Sequence, residues 1–211
     1  DTPFNMCQLL TGSEGTLAFT SLITLQLDPL PPPKSRMVAL HFASIEQCLK
    51  AVKPLMAHNL YTCEMMDKSI LDCTKHNKTQ QENRQFIVGD PKAILMCEVR
   101  ADSDEAVDML TQTLLQTIEN MQLSYAAPVL KDGDIDKAIE LRKAGLGLLG
   151  NLIGDPKSVA CIEDTAVSLD DLSDYISEFT QLMKRYDQNA IYYAHAGAGE
   201  LHLRPVLNLK R

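Results

Sequence analysis

Lysine and arginine form no cluster anywhere in this chain, and its net charge of -8 leaves no cationic surface for phosphate contacts. Nucleic acid is therefore not an expected partner. No apolar run approaches the roughly 18 to 20 residues needed to cross a bilayer, and no charged-then-apolar leader opens the sequence, so no transmembrane segment is expected. The six cysteines (Cys7, Cys48, Cys63, Cys73, Cys97 and Cys161) show no CxxC pair or regular spacing. That fits reduced, structural thiols of the cytoplasm better than a zinc ribbon or disulfide framework. The phosphate-loop and dinucleotide glycine spacings are missing, as is the i, i+4 histidine pair of helical zinc proteases. What is present is a chain of 211 residues with 45% hydrophobic side chains, enough to bury the core of one domain or slightly more. Asp1 is not an initiator methionine and the terminal VLNLKR continues a strand pattern, so a fragment is expected.

TGSEGTLAFTSLITLQL reads as a glycine turn entering a strand, and DPLPPPKS as a stiff polyproline connector. RMVALHF is the next strand, followed by a helix that Ser44 can cap, with Ile45, Leu49, Val52 and Met56 at helical spacing. LYTCEMMD predicts a strand, DKSILDCTKHN a short helix, KTQQENRQFIVGDP a polar loop and AILMCEVRA another strand. ADSDEAVDMLTQTLLQTIEN is a well-marked helix, with Asp102 or Ser103 near its cap and acidic residues in its first turn. SYAAPVLKD reads as a strand. DIDKAIELRKAGLGLLGNLIG reads as a helix whose end is loosened by Gly145, Gly147 and Gly150, or opened there to a ligand. CIEDTAVS is extended, LDDLSDYISEFTQLMKRYD an amphipathic helix, and NAIYYAHAG with LHLRPVL a hairpin. Adjoining strands favour an α+β fold, an antiparallel or mixed sheet covered by helices and built of ferredoxin-like units, over a doubly wound parallel sheet.

Three places can carry chemistry. GSEGT, Gly12 to Thr16, can turn several backbone N–H groups to one side, a concavity suited to phosphate, but the same residues make ordinary tight turns. Arg142 falls where its helix is partly buried, and a buried guanidinium needs an acid: either a bound one or a structural carboxylate such as Glu163 or Asp164. His195 and His202 lie seven residues apart around AGAGEL. If one ends a strand and the other begins the next, both rings face one pocket, where Glu200 or a carboxylate outside the chain could complete a divalent-metal site. Two hydrogen-bonded hairpin histidines satisfy the same spacing. Arg204, two residues past His202, points to that histidine's face.

Taken together, these stretches resemble a family. TGSEGTLAFTSLITLQLDPLP is similar to the segment closing the flavin-binding domain of the FAD-linked oxidases of the vanillyl-alcohol-oxidase type. IELRKAGLGLL resembles that family's helix with a substrate-side arginine, CIEDTAVSLDDLSDYISEF its following segment, and YYAHAGAGELHLRPVL its GHxGDGNxH hairpin. The order matches across residues 9 to 207. Within the family the likeness is to D-lactate and D-2-hydroxyglutarate dehydrogenases and glycolate oxidase subunits, especially long bacterial forms with an iron–sulfur domain.

The resemblance implies an FAD-dependent oxidoreductase that oxidises a 2-hydroxy acid to the 2-keto acid. Residues 1–33 would be the end of the FAD-binding domain and connector, and 34–211 the substrate or cap domain. It further implies that Gly12, Ser13, Glu14, Gly15 and Thr16 lie on the FAD pyrophosphate and adenosine side, that Arg142 clamps the substrate carboxylate, and that His195 and His202 face its hydroxyl, in some members as ligands of Zn or Mn. Departures from the pattern are Ala198 and Glu200 in place of Asp and Asn, and Arg204 in place of an Asn. They put metal dependence in question, and the second cation suggests a dicarboxylic acid or a tighter carboxylate clamp. The main FAD domain would precede Asp1, a Glu-His-Gly segment would follow Arg211, and an iron–sulfur cluster would lie elsewhere. The electron acceptor is left open, and placement is cytoplasmic or peripheral at the inner membrane face. A fragment of this kind is expected to be inactive alone. The competing expectations are a non-enzymatic ferredoxin-like binding or assembly module and, last, a metallohydrolase built on the histidine turn.

Overall fold

The structure, a computed structural model, describes residues 3–210; Asp1 and Arg211, the ends discussed above, lie outside the described residues. The chain divides between Pro31 and Pro32 into two units. In the first, α1 (Met6–Leu10) starts at Asn5, whose side chain accepts from the Cys7 amide at 3.0 Å. In the GSEGT stretch, the Ser13 and Thr16 amides donate to the carbonyls of Leu10 and Ser13. The strand expected over TLAFTSLITLQL does not form. Leu17, Phe19, Leu22, Ile23, Leu25 and Leu27 stand exposed, because a strand needs a laddered neighbour and none pairs with this segment among the described residues.

The second unit is a sheet with helices on both faces. Its strands are β1 (Lys34–Phe42), β2 (Thr62–Asp67), β3 (Ala93–Ala101), β4 (Val129–Lys131), β5 (Lys157–Ser158), β6 (Ile162–Ala166), β7 (Asn189–His195) and β8 (Glu200–Leu207). They follow the order β4-β1-β3-β2-β7-β8-β5, with β6 also on β8, and every pairing is antiparallel. The β4-β1-β3-β2 part, with crossover helices α2 (Ile45–Met56) and α4 (Asp104–Met121), is a ferredoxin-like unit, as expected. β1 and β3 read as continuous apolar runs because both their faces are covered. On one face, Val38, Leu40, Leu95 and Cys97 pack with α2, α4 and α6 (Leu172–Arg185). On the other, Met37, Ala39, Ile94 and Met96 meet α3 (Lys68–Thr74) and α5 (Gly133–Leu148).

Local chemistry fixes these helices. The Ser44 hydroxyl accepts from the Gln47 amide, and Ser103, rather than Asp102, caps α4 through the Ala106 amide, both at 3.2 Å. Substituting such a cap by alanine costs about 1 kcal/mol. Arg36 in β1, buried, binds Asp104 and Asp108 at 3.0 and 2.8 Å and so fastens α4 to the sheet. Several expectations are corrected. SYAAPVLKD forms a continuous strand only over Val129–Lys131, with a separate bridge from Ala126 to His41, since Pro128 between them has no N–H for a ladder, although its carbonyl accepts from Ala39. The polar loop before β3 contains two single 3-10 turns, Lys78–Gln80 and Glu82–Arg84. α5 runs through Gly145, where an added Cβ would stand 2.4 Å from Ile70 Cγ2. This glycine admits α3 against α5; it does not open the helix to a ligand.

Asp67 caps α3 through the Ile70 amide and accepts from the Tyr192 amide at 2.9 Å. With only 3% of its surface exposed, burial pushes its carboxyl up from 3.8 to about 6, against the pull of the Tyr192, Ile70 and Ser69 N–H groups. The unfolded chain therefore releases this proton at lower pH than the folded one, and stability falls as pH rises through that window. The loss attached to Asp67 is about 3 kcal/mol between about pH 4 and about pH 7. Urea unfolding at both pH values should show this component in the wild type and not in Asp67→Asn; equal pH dependence of the two proteins would refute it.

Candidate functional site

The β7-β8 hairpin turns through Ala196–Ala198 and Gly199. Gly199 has φ +69°, and a Cβ there would meet the Val167 carbonyl oxygen at 2.1 Å, so only glycine fits. The register sets Tyr193 opposite His202, His195 opposite Glu200 and Ile191 opposite Arg204. Alternation then sends Leu201 and Leu203 to the α2 side and His202 and Arg204 to the α5 side. The rings of His195 and His202 meet edge to face with centroids 5.3 Å apart.

Next to β7 lies β2, with Met65 opposite Ala194, and this places Glu64 beside His195. Both Glu64 oxygens approach His195 Nδ1, at 2.9 and 3.0 Å. Glu64 also pairs with Arg142 Nη2 from α5, which donates in addition to the Ala194 carbonyl at 3.2 Å. The Arg142 guanidinium lies 4.0 Å over the Tyr193 ring, a cation–π contact that shields one side of the charge. Arg142 thus has a carboxylate partner, but it is Glu64 and not Glu163 or Asp164, which β6 carries to β8 instead.

There Glu163 receives His202 Nδ1 at 2.7 Å and lies 2.8 Å from Arg204 Nε, while Asp164 is 3.2 Å from His202 Nδ1. The Arg204–Glu163 approach is out of line for a hydrogen bond, so Arg204 Nε and Glu163 Oε1, like Arg142 Nε, are buried without a hydrogen-bond partner. Arg204 Nε and Glu163 Oε1 offset one another as an ion pair, while a buried polar atom left without a bond costs about 1 to 3 kcal/mol of lost hydration. Arg142 and His202 side chains are 11% and 14% exposed, whereas His195 is open at 42%. Burial raises the Tyr193 phenol above its usual range; Arg142 and Arg204 pull it down and Glu64 pushes it up, so it is a neutral donor and ring surface at neutral pH.

The structure therefore brings Arg142, His195, His202, Glu200 and Arg204 to one region of the α5 face. Gly12, Ser13, Glu14, Gly15 and Thr16 lie in the separate unit before Pro32. His195, Glu200 and His202 each offer a ligand atom within 4.8 Å of the others, and Glu163, Asp164 and His202 form a second such set. Imidazole nitrogen with carboxylate oxygen suits Zn or Mn, so these residues fit a divalent ion. Sequence reasoning missed Glu64 and Tyr193; the signal for Glu64 was a carboxylate set between two buried apolar residues, Cys63 and Met65, inside a strand. His41 belongs to the core instead, its Nδ1 on the Ala39 carbonyl at 2.8 Å and its Nε2 receiving the Val88 amide at 3.1 Å. No helix among the described residues is long and apolar enough to cross a membrane.

Comparison with known proteins gives a consistent result. The chain is 28% identical to D-2-hydroxyglutarate dehydrogenase of Haemophilus influenzae over 99% of its own length and 21% of that protein's. It is 27% identical to the glycolate oxidase subunit GlcD of Escherichia coli K12, over 96% of the chain and 39% of the relative. The chain thus spans about a fifth of the length of the dehydrogenases it matches. Among solved structures, 4-ethylphenol oxidase from Gulosibacter chungangensis shares the fold with a TM-score of 0.55 at 12% identity, covering 89% of this chain and 42% of the oxidase. Residues 31–211, the sheet and the whole histidine–arginine cluster included, match the family of FAD linked oxidases, C-terminal domain, and to that family the chain belongs.

Proposed function

We propose that this chain forms the substrate-side wall of an FAD-dependent oxidoreductase that oxidises a 2-hydroxy acid to the 2-keto acid. The observation that carries the reading is the gathering of two guanidiniums, Arg142 over the Tyr193 ring and Arg204 on the face of His202, beside two histidines whose rings meet. A planar guanidinium suits a carboxylate fork. Arg142 would hold the C1 carboxylate, and the hydroxyl would lose its proton to an imidazole Nε2 of His195 or His202. Where a divalent ion is held instead by His195, His202 and Glu200, the Nε2 lone pairs go to the ion, which would polarise the hydroxyl, and the proton would pass to a base outside this chain. Bound flavin would supply the hydride acceptor. Arg204, on the face of His202, would reach a second carboxylate, which favours a dicarboxylic substrate, in keeping with the similarity to D-2-hydroxyglutarate dehydrogenases.

In this reading residues 1–33 end the FAD-binding domain and connect it to the cap domain, 34–211. Gly12 to Thr16 approach the FAD pyrophosphate, and most of the flavin site belongs to a domain outside this chain. An iron–sulfur cluster would lie in a further domain, and the protein would work in the cytoplasm or at the inner face of the membrane. The test is to express the complete gene product, measure bound flavin and follow its bleaching with D- and L-2-hydroxy acids. D-2-hydroxyglutarate should bleach it faster than D-lactate, and His195→Ala and His202→Ala should keep the flavin but lose bleaching. A flavin-free product, or normal bleaching in both variants, would sink the proposal.

A further inference from the structure

The two histidines are held by the same device used twice. On β2, Glu64 takes His195 Nδ1 with both oxygens, at 2.9 and 3.0 Å, and is itself anchored by Arg142. On β6, Glu163 takes His202 Nδ1 at 2.7 Å and faces Arg204 Nε at 2.8 Å. A carboxylate can only accept, so each Nδ1 must carry the hydrogen, and in the neutral ring the lone pair is then on Nε2. Two strands far apart in sequence thus impose one tautomer on two rings whose centroids are 5.3 Å apart. An ion pair needed only to neutralise Arg142 would not require the second Glu64 oxygen within reach of an imidazole.

We propose that Glu64 and Glu163 are paired positioning residues: each fixes one histidine as the Nδ1–H tautomer and turns its Nε2 toward the shared substrate and metal position. Each arginine then serves twice, as the anchor of a glutamate and as a carboxylate binder. The proposal rests on the functional reading above only for the reaction served. Its test needs no flavin, so the two can fail separately.

The test is nitrogen NMR of the histidine rings in the 211-residue chain, at mildly alkaline pH where imidazole is neutral. His41, whose Nδ1–H is fixed by the Ala39 carbonyl, is the internal reference. His195 and His202 should both give the Nδ1–H pattern. Glu64→Gln should mix the tautomers of His195 alone, and Glu163→Gln, made together with Asp164→Asn because Asp164 also stands 3.2 Å from His202 Nδ1, those of His202 alone, since an amide can either donate to Nδ1 or accept from it. Zn(II) titrated into the same proteins should bind roughly 10- to 100-fold more weakly in each variant. An Nε2–H pattern at either histidine of the wild type overturns the proposal, a reading that needs no variant to fold. So do variants that lose thermal stability but keep both the wild-type tautomers and the wild-type Zn(II) affinity.

Discussion

Replacing Arg142 with methionine should lower the rate of flavin reduction by a 2-hydroxy acid roughly 10²- to 10³-fold in the complete protein, with flavin still bound. Two losses combine. In the proposed site the substrate carboxylate would lose the guanidinium that lies over the Tyr193 ring and pairs with Glu64, and truncating one member of a desolvated charge pair costs about 2 to 5 kcal/mol. Glu64, at 19% exposure, also loses its cation and draws more strongly on His195 Nδ1. The effect should fall on both kcat and KM, because in the proposed reading the arginine would bind the substrate and hold the residue that orients the histidine. Arg142→Lys keeps the charge without the fork, so it should recover only part of the rate. Stopped-flow reduction is the measurement, and a methionine variant within threefold of wild type would remove Arg142 from the site.

Gly199→Ala should destabilise the folded chain by about 3 kcal/mol, the sum of a left-handed backbone at a non-glycine residue and an overpacked contact. The obstacle is the Val167 carbonyl oxygen at 2.1 Å, which cannot rotate away because the Val167 amide is bonded to the Gly199 carbonyl at 3.0 Å. The turn must then move, taking the spacing of His195 and His202 with it. Gly147→Ala is the contrast: an added Cβ meets nothing within 4 Å, and alanine in a helix should be neutral or stabilising by about 0.5 kcal/mol. Urea midpoints of the two variants give the answer; if they are equal, the turn is not under the constraint described.

Most of the sheet was legible in the sequence because β1 and β3 each carry a long, mainly apolar stretch and the hairpin has its glycines between two strand patterns. The segment after GSEGT was misread because β propensity describes a side chain's fit to a pleated surface and does not supply a neighbouring strand. The histidine and arginine positions could be read from spacing and resemblance. Glu64 could not: its partner His195 is 131 residues away, and the contact exists only because β2 lies against β7. Glu163 is nearer to Arg142 along the chain, but it lies on β6, which pairs with β8 and places it beside His202 and Arg204 instead.

The meeting of β2 and β7 is short, only Met65 with Ala194 and Met66 with Tyr193, and it joins the ferredoxin-like unit to the hairpin. Its consequence concerns the order of assembly. The hairpin closes over a few residues and the ferredoxin-like unit over intermediate distances, whereas this seam must bring together segments separated by most of the domain, the slowest kind of closure. Glu64 and Arg142 stand on one side of it, His195 and His202 on the other. A slip of one residue would turn Glu64 to the opposite face. The Glu64–His195 contact therefore exists only when the ferredoxin-like unit and the hairpin are both in register.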